Sequence, residues 1–184
     1  AEIVRLSDTM LSDPVKVAVN PQATTVERID PKVMFVGRGD KRDLLAHLLA
    51  DASVTRALVF TRTKHGADKV VRQLGIDRVK AEAIHGNKSQ TNRTRALDNF
   101  RRGHTRVLVA TDIAARGIDV ESISHVFNYD LPNIPESYVH RIGRTARAGC
   151  DGVAFSFCDV EERPYLKDIE KLIGQRVPVE TDHT

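Results

Sequence analysis

An open parallel α/β sheet with helices on both faces is the fold class this sequence predicts, and two observations predict it. Short apolar runs alternate with amphipathic helical stretches from about Val33 onward, the order expected of parallel strands joined by crossover helices. The 184 residues are 41% hydrophobic and 29% charged, with only 7 Pro and 11 Gly. That composition suits one globular domain able to bury about 70% of its unfolded surface, and it excludes a disordered or fibrous chain.

Residues 1–21 break the alternation. A short helical stretch is followed by Asp13-Pro14 and Asn20-Pro21, which favour turns or extended chain. They are expected to be the end of something upstream and a linker, with the domain over 22–178 and a tail over 179–184. Strands are predicted at 33–36, 57–60, 81–84, 107–110, 126–129 and 153–157. Between them Leu44, Leu45, Leu48 and Leu49 form one apolar helix face, and Ala67, Val70, Val71 and Leu74 recur at helical spacing. A third helix carries Ala96, Leu97 and Phe100, with Asn87 and Ser89 as candidate caps and Gly103 as its stop. A further helix begins near Pro135, and the last turns Tyr165, Leu166, Ile169, Leu172 and Ile173 inward before Gly174.

No apolar run approaches the roughly 20 residues that span a bilayer, and the first ten residues lack the basic and then apolar regions of a leader. A cytoplasmic protein, away from membranes, is expected. The start without an initiator Met suggests a piece of a longer chain. Cys150 and Cys158 lack metal or redox spacing and read as reduced packing residues; no metal site is expected. The net charge of +3, with a pI near 9.0, permits a polyanionic partner without requiring one.

Ligands of open parallel sheets gather at the carboxyl ends of the strands. Three ends share a character: Thr61-Arg62-Thr63-Lys64, His85-Gly86-Asn87 and Thr111-Asp112. Hydroxyls, a glycine that admits a close backbone, and guanidinium groups are what a row of phosphates needs. The ordinary alternative is that these Thr, Asn and Asp residues cap the next helices. Gln90 and Arg93 add to the phosphate reading, since i and i+3 share a helix face. The most loaded segment is YVHRIGRTARAG, 138–149. On a continuing helix His140, Arg144 and Arg147 would share a face, but Gly143 and Gly149 bracket the arginines and let the chain leave the helix. Guanidinium forks suit bidentate phosphate contact better than lysine. In TDIAARGID, 111–119, Asp112, Arg116 and Asp119 follow a buried strand and Gly117 allows a tight turn. A carboxylate there accepts hydrogen bonds from a ribose or orients nearby arginines.

With these residues the chain resembles, over essentially its whole length, the second RecA-like domain of DEAD-box RNA helicases. LVFTRTK (58–64) resembles motif IV, HGNKSQTNR (85–93) the HG and QxxR element, VLVATDIAARGID (107–119) motif V, VFNYDLP (126–132) the following segment, and HRIGRTARAG (140–149) motif VI. The wording VFTRTKHGA and IHGNKSQ is most like the bacterial RhlE-type branch. Ala146 stands where many relatives carry Gly. A methyl is tolerated there unless the backbone is left-handed.

The resemblance implies a RecA-like open parallel sheet, the helicase C-terminal domain, and residues 1–21 become the end of a preceding RecA-like domain with an interdomain linker. It implies ATP with Mg2+, bound mainly by an N-terminal lobe, with Asp119, Gly117 and Arg116 at the nucleotide, Arg144 and Arg147 reaching the γ-phosphate, and His140 tying motif VI to the other lobe. Such arginines are worth about 10³ to 10⁵ in rate, or roughly 4 to 7 kcal/mol. It implies RNA held through phosphates and 2′-hydroxyls by Arg62, Thr63, Gly86, Gln90, Arg93 and Thr111, and RNA-degradation or ribosome-assembly proteins as further partners. The 184 residues contain no GxxxxGK[ST] loop, no DEAD tetrapeptide and no adenine-reading glutamine motif, so this piece alone is expected to be inactive. The alternative is a non-catalytic module binding RNA or protein. A flavodoxin-like signalling domain fits the α/β pattern but not the arginine-rich motif VI.

Overall fold

The computed structural model describes residues 10, 29–115, 120, 122–145 and 152–181. Six strands, β1 (Ile29–Phe35), β2 (Ala57–Phe60), β3 (Ala81–Ile84), β4 (Val107–Ala110), β5 (His125–Asn128) and β6 (Gly152–Cys158), form one sheet in the order β1-β6-β5-β2-β4-β3. Every pairing is parallel. The helices are α1 (Lys41–Leu49), α2 (Lys64–Ile76), α3 (Gln90–Arg101), α4 (Asp112–Ala115), α5 (Pro135–Ile142) and α6 (Arg163–Ile173), the last preceded by a 3-10 turn at Val160–Glu162.

The middle strands ALVF, VLVA and HVFN are buried throughout, as strands covered on both faces must be. Alternation divides the core in two. Leu58, Phe60, Leu108 and Val126 pack with Phe100 of α3, Tyr138 and Ile142 of α5, and Leu166 and Ile169 of α6. Val59, Val109, Phe127 and Phe157 pack with Leu45 and Leu49 of α1 and Val70 and Leu74 of α2. Helices on both faces, as expected, leave the two ends of the sheet as the places for chemistry.

Three strands have the expected bounds and three shift. Strand β1 starts at Ile29 because β6 pairs it residue for residue, from Ile29 with Gly152 to Phe35 with Cys158; Pro31 is tolerated in an edge strand. Strand β5 begins one residue early, at His125. Ser89 caps α3, its Oγ accepting from Asn92 N at 3.3 Å, whereas Asn87, the other candidate, does not cap it. Gly174 ends α6 with φ 74°, a left-handed angle that favours glycine. Val179 and Glu180, in the expected tail, bridge onto β1: Val33 N donates to Pro178 O at 2.8 Å and Glu180 N to Val33 O at 2.9 Å. Cys158 is a packing residue whose thiol burial pushes up to about 11; Cys150 and residues 1–21, apart from Met10, lie outside the described residues. Among the described residues no helix is long and apolar enough to cross a membrane.

Candidate nucleic-acid and nucleotide interface

Strands β2, β4 and β3 are neighbours, and the register aligns their last residues, Phe60 with Ala110 and Ala110 with Ile84. The three loops singled out in the sequence therefore leave the sheet side by side, about 5 Å apart strand to strand. Thr61 N donates to Ala110 O at 3.0 Å, Thr111 N to Ile84 O at 3.3 Å, and Lys64 Nζ to Asn87 Oδ1 at 3.1 Å.

Thr63 does cap α2, its Oγ1 accepting from Gly66 N at 3.0 Å, so for this residue the ordinary alternative holds as well. Gly86 is exposed, and nothing in the chain lies within 4 Å of where its Cβ would stand, so packing within the domain does not demand a glycine. Gln90 is exposed and Arg93 half-buried on the first turn of α3, and Arg93 Nε is buried without a partner. Thr111 is half-buried between β4 and α4.

Arg62 was expected to meet a phosphate. Its fork is already occupied: Nη2 donates to Glu162 Oε1, Nε donates to Leu131 O at 3.2 Å, and the guanidinium lies 5.1 Å from the Tyr165 ring centroid. The reason is Glu162, which the 3-10 turn sets against the buried Lys41 at 2.5 Å. Burial pushes the Glu162 carboxyl up and Lys41 opposes that shift. Two of the three Arg62 nitrogens are thus engaged within the protein, while 36% of the side chain is exposed.

His85 is buried beneath the Gly86 turn. Its Nδ1 accepts from Asn87 N at 3.3 Å, which places the ring proton on Nε2 by the hydrogen-bond pattern. Nε2 lies 3.0 Å from Asp68 Oδ1, bent away from ideal hydrogen-bond geometry, and Asp68 also holds Lys88 at 2.9 Å. Burial would raise the Asp68 carboxyl, but the His85 and Lys88 contacts win and hold it below its ordinary value.

A pocket of about 200 Å³ adjoins the crest, between α4 and α5, walled by Phe60, Ala115 and Ser137 and edged by Asp112, His140, Arg141 and Arg144. Arg141 is its fixed point. It is 1% exposed; Nε and Nη2 donate to the two Asp112 carboxylate oxygens at 2.6 and 2.8 Å, and Nη1 donates to Asp130 O at 2.6 Å and Asn128 Oδ1 at 3.3 Å. Asp112 thus orients an arginine, one of its two expected roles, and the arginine is one not singled out in the sequence. Helix α5 stops at Ile142 and Gly143 forms its C-cap, so Arg144 follows in a turn, its N donating to Arg141 O at 3.1 Å. His140 is exposed on the last turn of α5. Arg116, Gly117, Asp119, Ala146 and Arg147 lie outside the described residues.

The residues present suit one side of a nucleotide phosphate site: guanidinium groups beside an open pocket of mixed polarity, on a strand end. Among the described residues no three His, Cys, Asp or Glu side chains are grouped to hold a metal ion.

Residues 40–149 match the family model described as "Helicase conserved C-terminal domain". The DEAD-box ATP-dependent RNA helicase CshA of Bacillus subtilis is 42% identical over 177 residues, 96% of this chain and 36% of that protein. The ATP-dependent RNA helicase RhlB of Pseudomonas syringae is 37% identical over 183 residues, 100% of this chain and 46% of that protein. The chain thus spans between a third and a half of these curated relatives. Among solved structures, the E. coli DEAD-box protein SrmB bound to regulator of ribonuclease activity A is 34% identical with a TM-score of 0.80, covering 83% of this chain and 91% of that one. S. cerevisiae Dbp5 bound to RNA and ADP BeF3 is 32% identical with a TM-score of 0.82, covering 97% and 49%. The chain has the RecA-like fold and belongs to the helicase conserved C-terminal domain family, in its DEAD-box branch.

Proposed function

We propose that this chain is the C-terminal lobe of an ATP-dependent RNA helicase: its crest grips an RNA backbone and its α5 end presents arginines to ATP held mainly by an N-terminal lobe. The observation that carries this reading is the Arg141–Asp112 pair, which sets Arg144 beside an open pocket next to Thr111. RNA would take the open backbone at Gly86, the Arg93 guanidinium, Gln90, and the Thr63 and Thr111 hydroxyls, with Arg62 joining on release from Glu162. These groups read phosphate and sugar and not base edges, so binding is sequence-independent. ATP with Mg2+ supplies the phosphoryl chemistry when bound. This lobe's part is to place Arg144 and Arg147 against the developing charge, with Asp119, Gly117 and Arg116 on the nucleotide and His140 on the facing lobe.

Yeast Dbp5, solved with RNA and ADP BeF3, and the E. coli SrmB complex support RNA, nucleotide and an RNA-degradation partner as ligand classes here; the cytoplasm is the compartment this reading assigns. The RhlE-type wording of motifs IV and HG is the finer family reading, which a phylogeny of the full-length gene tests. The functional test joins this lobe to its N-terminal lobe and changes Arg144 or Arg147 to Ala. RNA-stimulated ATP turnover should fall by about 10³-fold or more; unaltered turnover in both variants would sink the assignment.

A further inference from the structure

The crest cations are largely engaged within the protein: Arg62 with Glu162, Lys64 with Asn87, Lys88 with Asp68. The opposite end of the same strands is different. Because β2, β4 and β3 are parallel and aligned from Ala57, Val107 and Ala81, the loops entering β3 and β4 open on one edge, far from the crest. Residues 77–80 and 101–106 carry Arg78, Lys80, Arg101, Arg102 and Arg106 against Asp77 alone, five cations to one anion, where the whole chain has a net charge of +3. Asp77 is itself matched by Arg42 at 2.6 Å, Arg101 is paired with Asp98 at 3.8 Å, and Arg106 turns inward to Leu49 O at 2.7 Å. Arg78, Lys80, Arg101 and Arg102 are exposed; Arg78, Lys80 and Arg102 form no ion pair among the described residues. The C-terminus of α3 favours a cation in its last turn, which accounts for Arg101; the last turn of α2 holds none, so Arg78, Lys80 and Arg102 are left as the surplus.

We infer that this basal edge is a second RNA-backbone surface, taking the part of a strand that runs past the crest. It rests on the crest reading for its RNA class, but uses none of the crest residues. Uncompensated guanidinium and ammonium groups with no aromatic side chain among them recognise phosphates without base preference. A strand reaching both surfaces gains affinity from each.

The test uses the full-length parent protein carrying Lys80→Ala with Arg102→Ala, beside a crest variant, Arg93→Ala. Affinity is measured by fluorescence anisotropy across salt for a uridylate oligomer just long enough for the crest and for one several times longer. Removing two phosphate contacts should flatten the long-strand salt slope by about 1.4 and weaken binding roughly tenfold near physiological salt. Short-strand binding, short-strand-stimulated ATP turnover and melting temperature should not change. Unchanged long-strand affinity overturns the inference and leaves the patch to an acidic protein; an equal loss on both strands overturns it as well. If Arg93→Ala leaves both strands unaffected, the crest reading fails instead.

Discussion

Replacing Arg141 with Ala removes a guanidinium that is 1% exposed and holds both carboxylate oxygens of Asp112, the Asp130 carbonyl and Asn128 Oδ1. It also lies 5.1 Å from the Phe60 ring centroid. Removing one partner of a buried pair costs about 3 to 5 kcal/mol. Asp112 keeps 35% of its side chain in water, which places the loss near the lower limit, about 3 kcal/mol, or roughly 6 to 12 °C for a domain of this size. Asp112→Ala should cost less, about 2 kcal/mol, because Arg141 keeps two other acceptors. The double variant should show coupling of about 1.5 kcal/mol, read from urea unfolding of all four proteins. Arg141→Lys should not rescue, since one ammonium cannot reproduce the fork. Coupling below about 0.5 kcal/mol, the scatter of independent sites, would refute the idea that this pair fixes the end of α5.

Gly86→Ala should leave stability within about 0.5 kcal/mol, since its Cβ meets open space. If an RNA backbone occupies that space, affinity measured by anisotropy falls about tenfold, the worth of one hydrogen bond. Asp68→Ala, which frees His85 Nε2 and Lys88, should raise the RNA concentration needed for half-maximal ATP turnover without lowering the maximum, and Asp68→Asn, still an acceptor, should restore it. His125 stacks on Phe127 and Phe155 with centroids 6.1 Å from each, and burial lowers its pKa below 6.5. As pH falls below 6.5 the unfolded chain takes up a proton that the folded one resists, so stability should drop in that window; His125→Phe should flatten the drop in thermal melts.

What was legible in the sequence was set by local pattern. The runs at 57–60 and 107–110 are buried throughout, so their apolar stretches begin and end where the strands do, and 81–84, an edge strand with Glu82 inside it, is bounded by its pairing with 107–110. Strand β1 was cut short because Ile29-Asp30-Pro31-Lys32 has no strand pattern of its own; its first residues are held by pairing with Gly152–Phe155, more than 120 positions away in sequence. Ser89 and Asn87 are equally good caps by residue type, and only the path of the loop, with Asn87 held by His85 and Lys64, decides for Ser89. Arg141 sits among charged residues that look alike in sequence; its distinction is a partner 29 positions away. Lys41 and Glu162 are 121 positions apart, and a buried lysine has no periodicity to announce it. Long-range ion pairs are what pattern reading misses.

These long-range pairs connect the two candidate sites. Thr111, on the crest, and Asp112, which fixes Arg141, are consecutive residues, so no flexible linker separates the crest from the pocket. Asp130 provides a second path: its carboxylate accepts from Arg62 N at 2.9 Å and its carbonyl from Arg141 Nη1 at 2.6 Å. Glu162 ties the same region to Lys41 and Arg62. Ligand contact that draws Arg62 from Glu162 would leave a buried carboxylate with Lys41 as its remaining cation, a cost that only a bound phosphate partner can offset. If an anion draws Arg62 away, Asp130, which Arg62 and Arg141 share, is the contact through which the change would reach the pocket. That makes Asp130→Asn, which keeps the carbonyl but weakens the carboxylate contact, the substitution that should separate RNA affinity from RNA stimulation. RNA binding with lowered stimulation of ATP turnover is the expected outcome, and equal loss of both would show that the two sites do not communicate through Asp130.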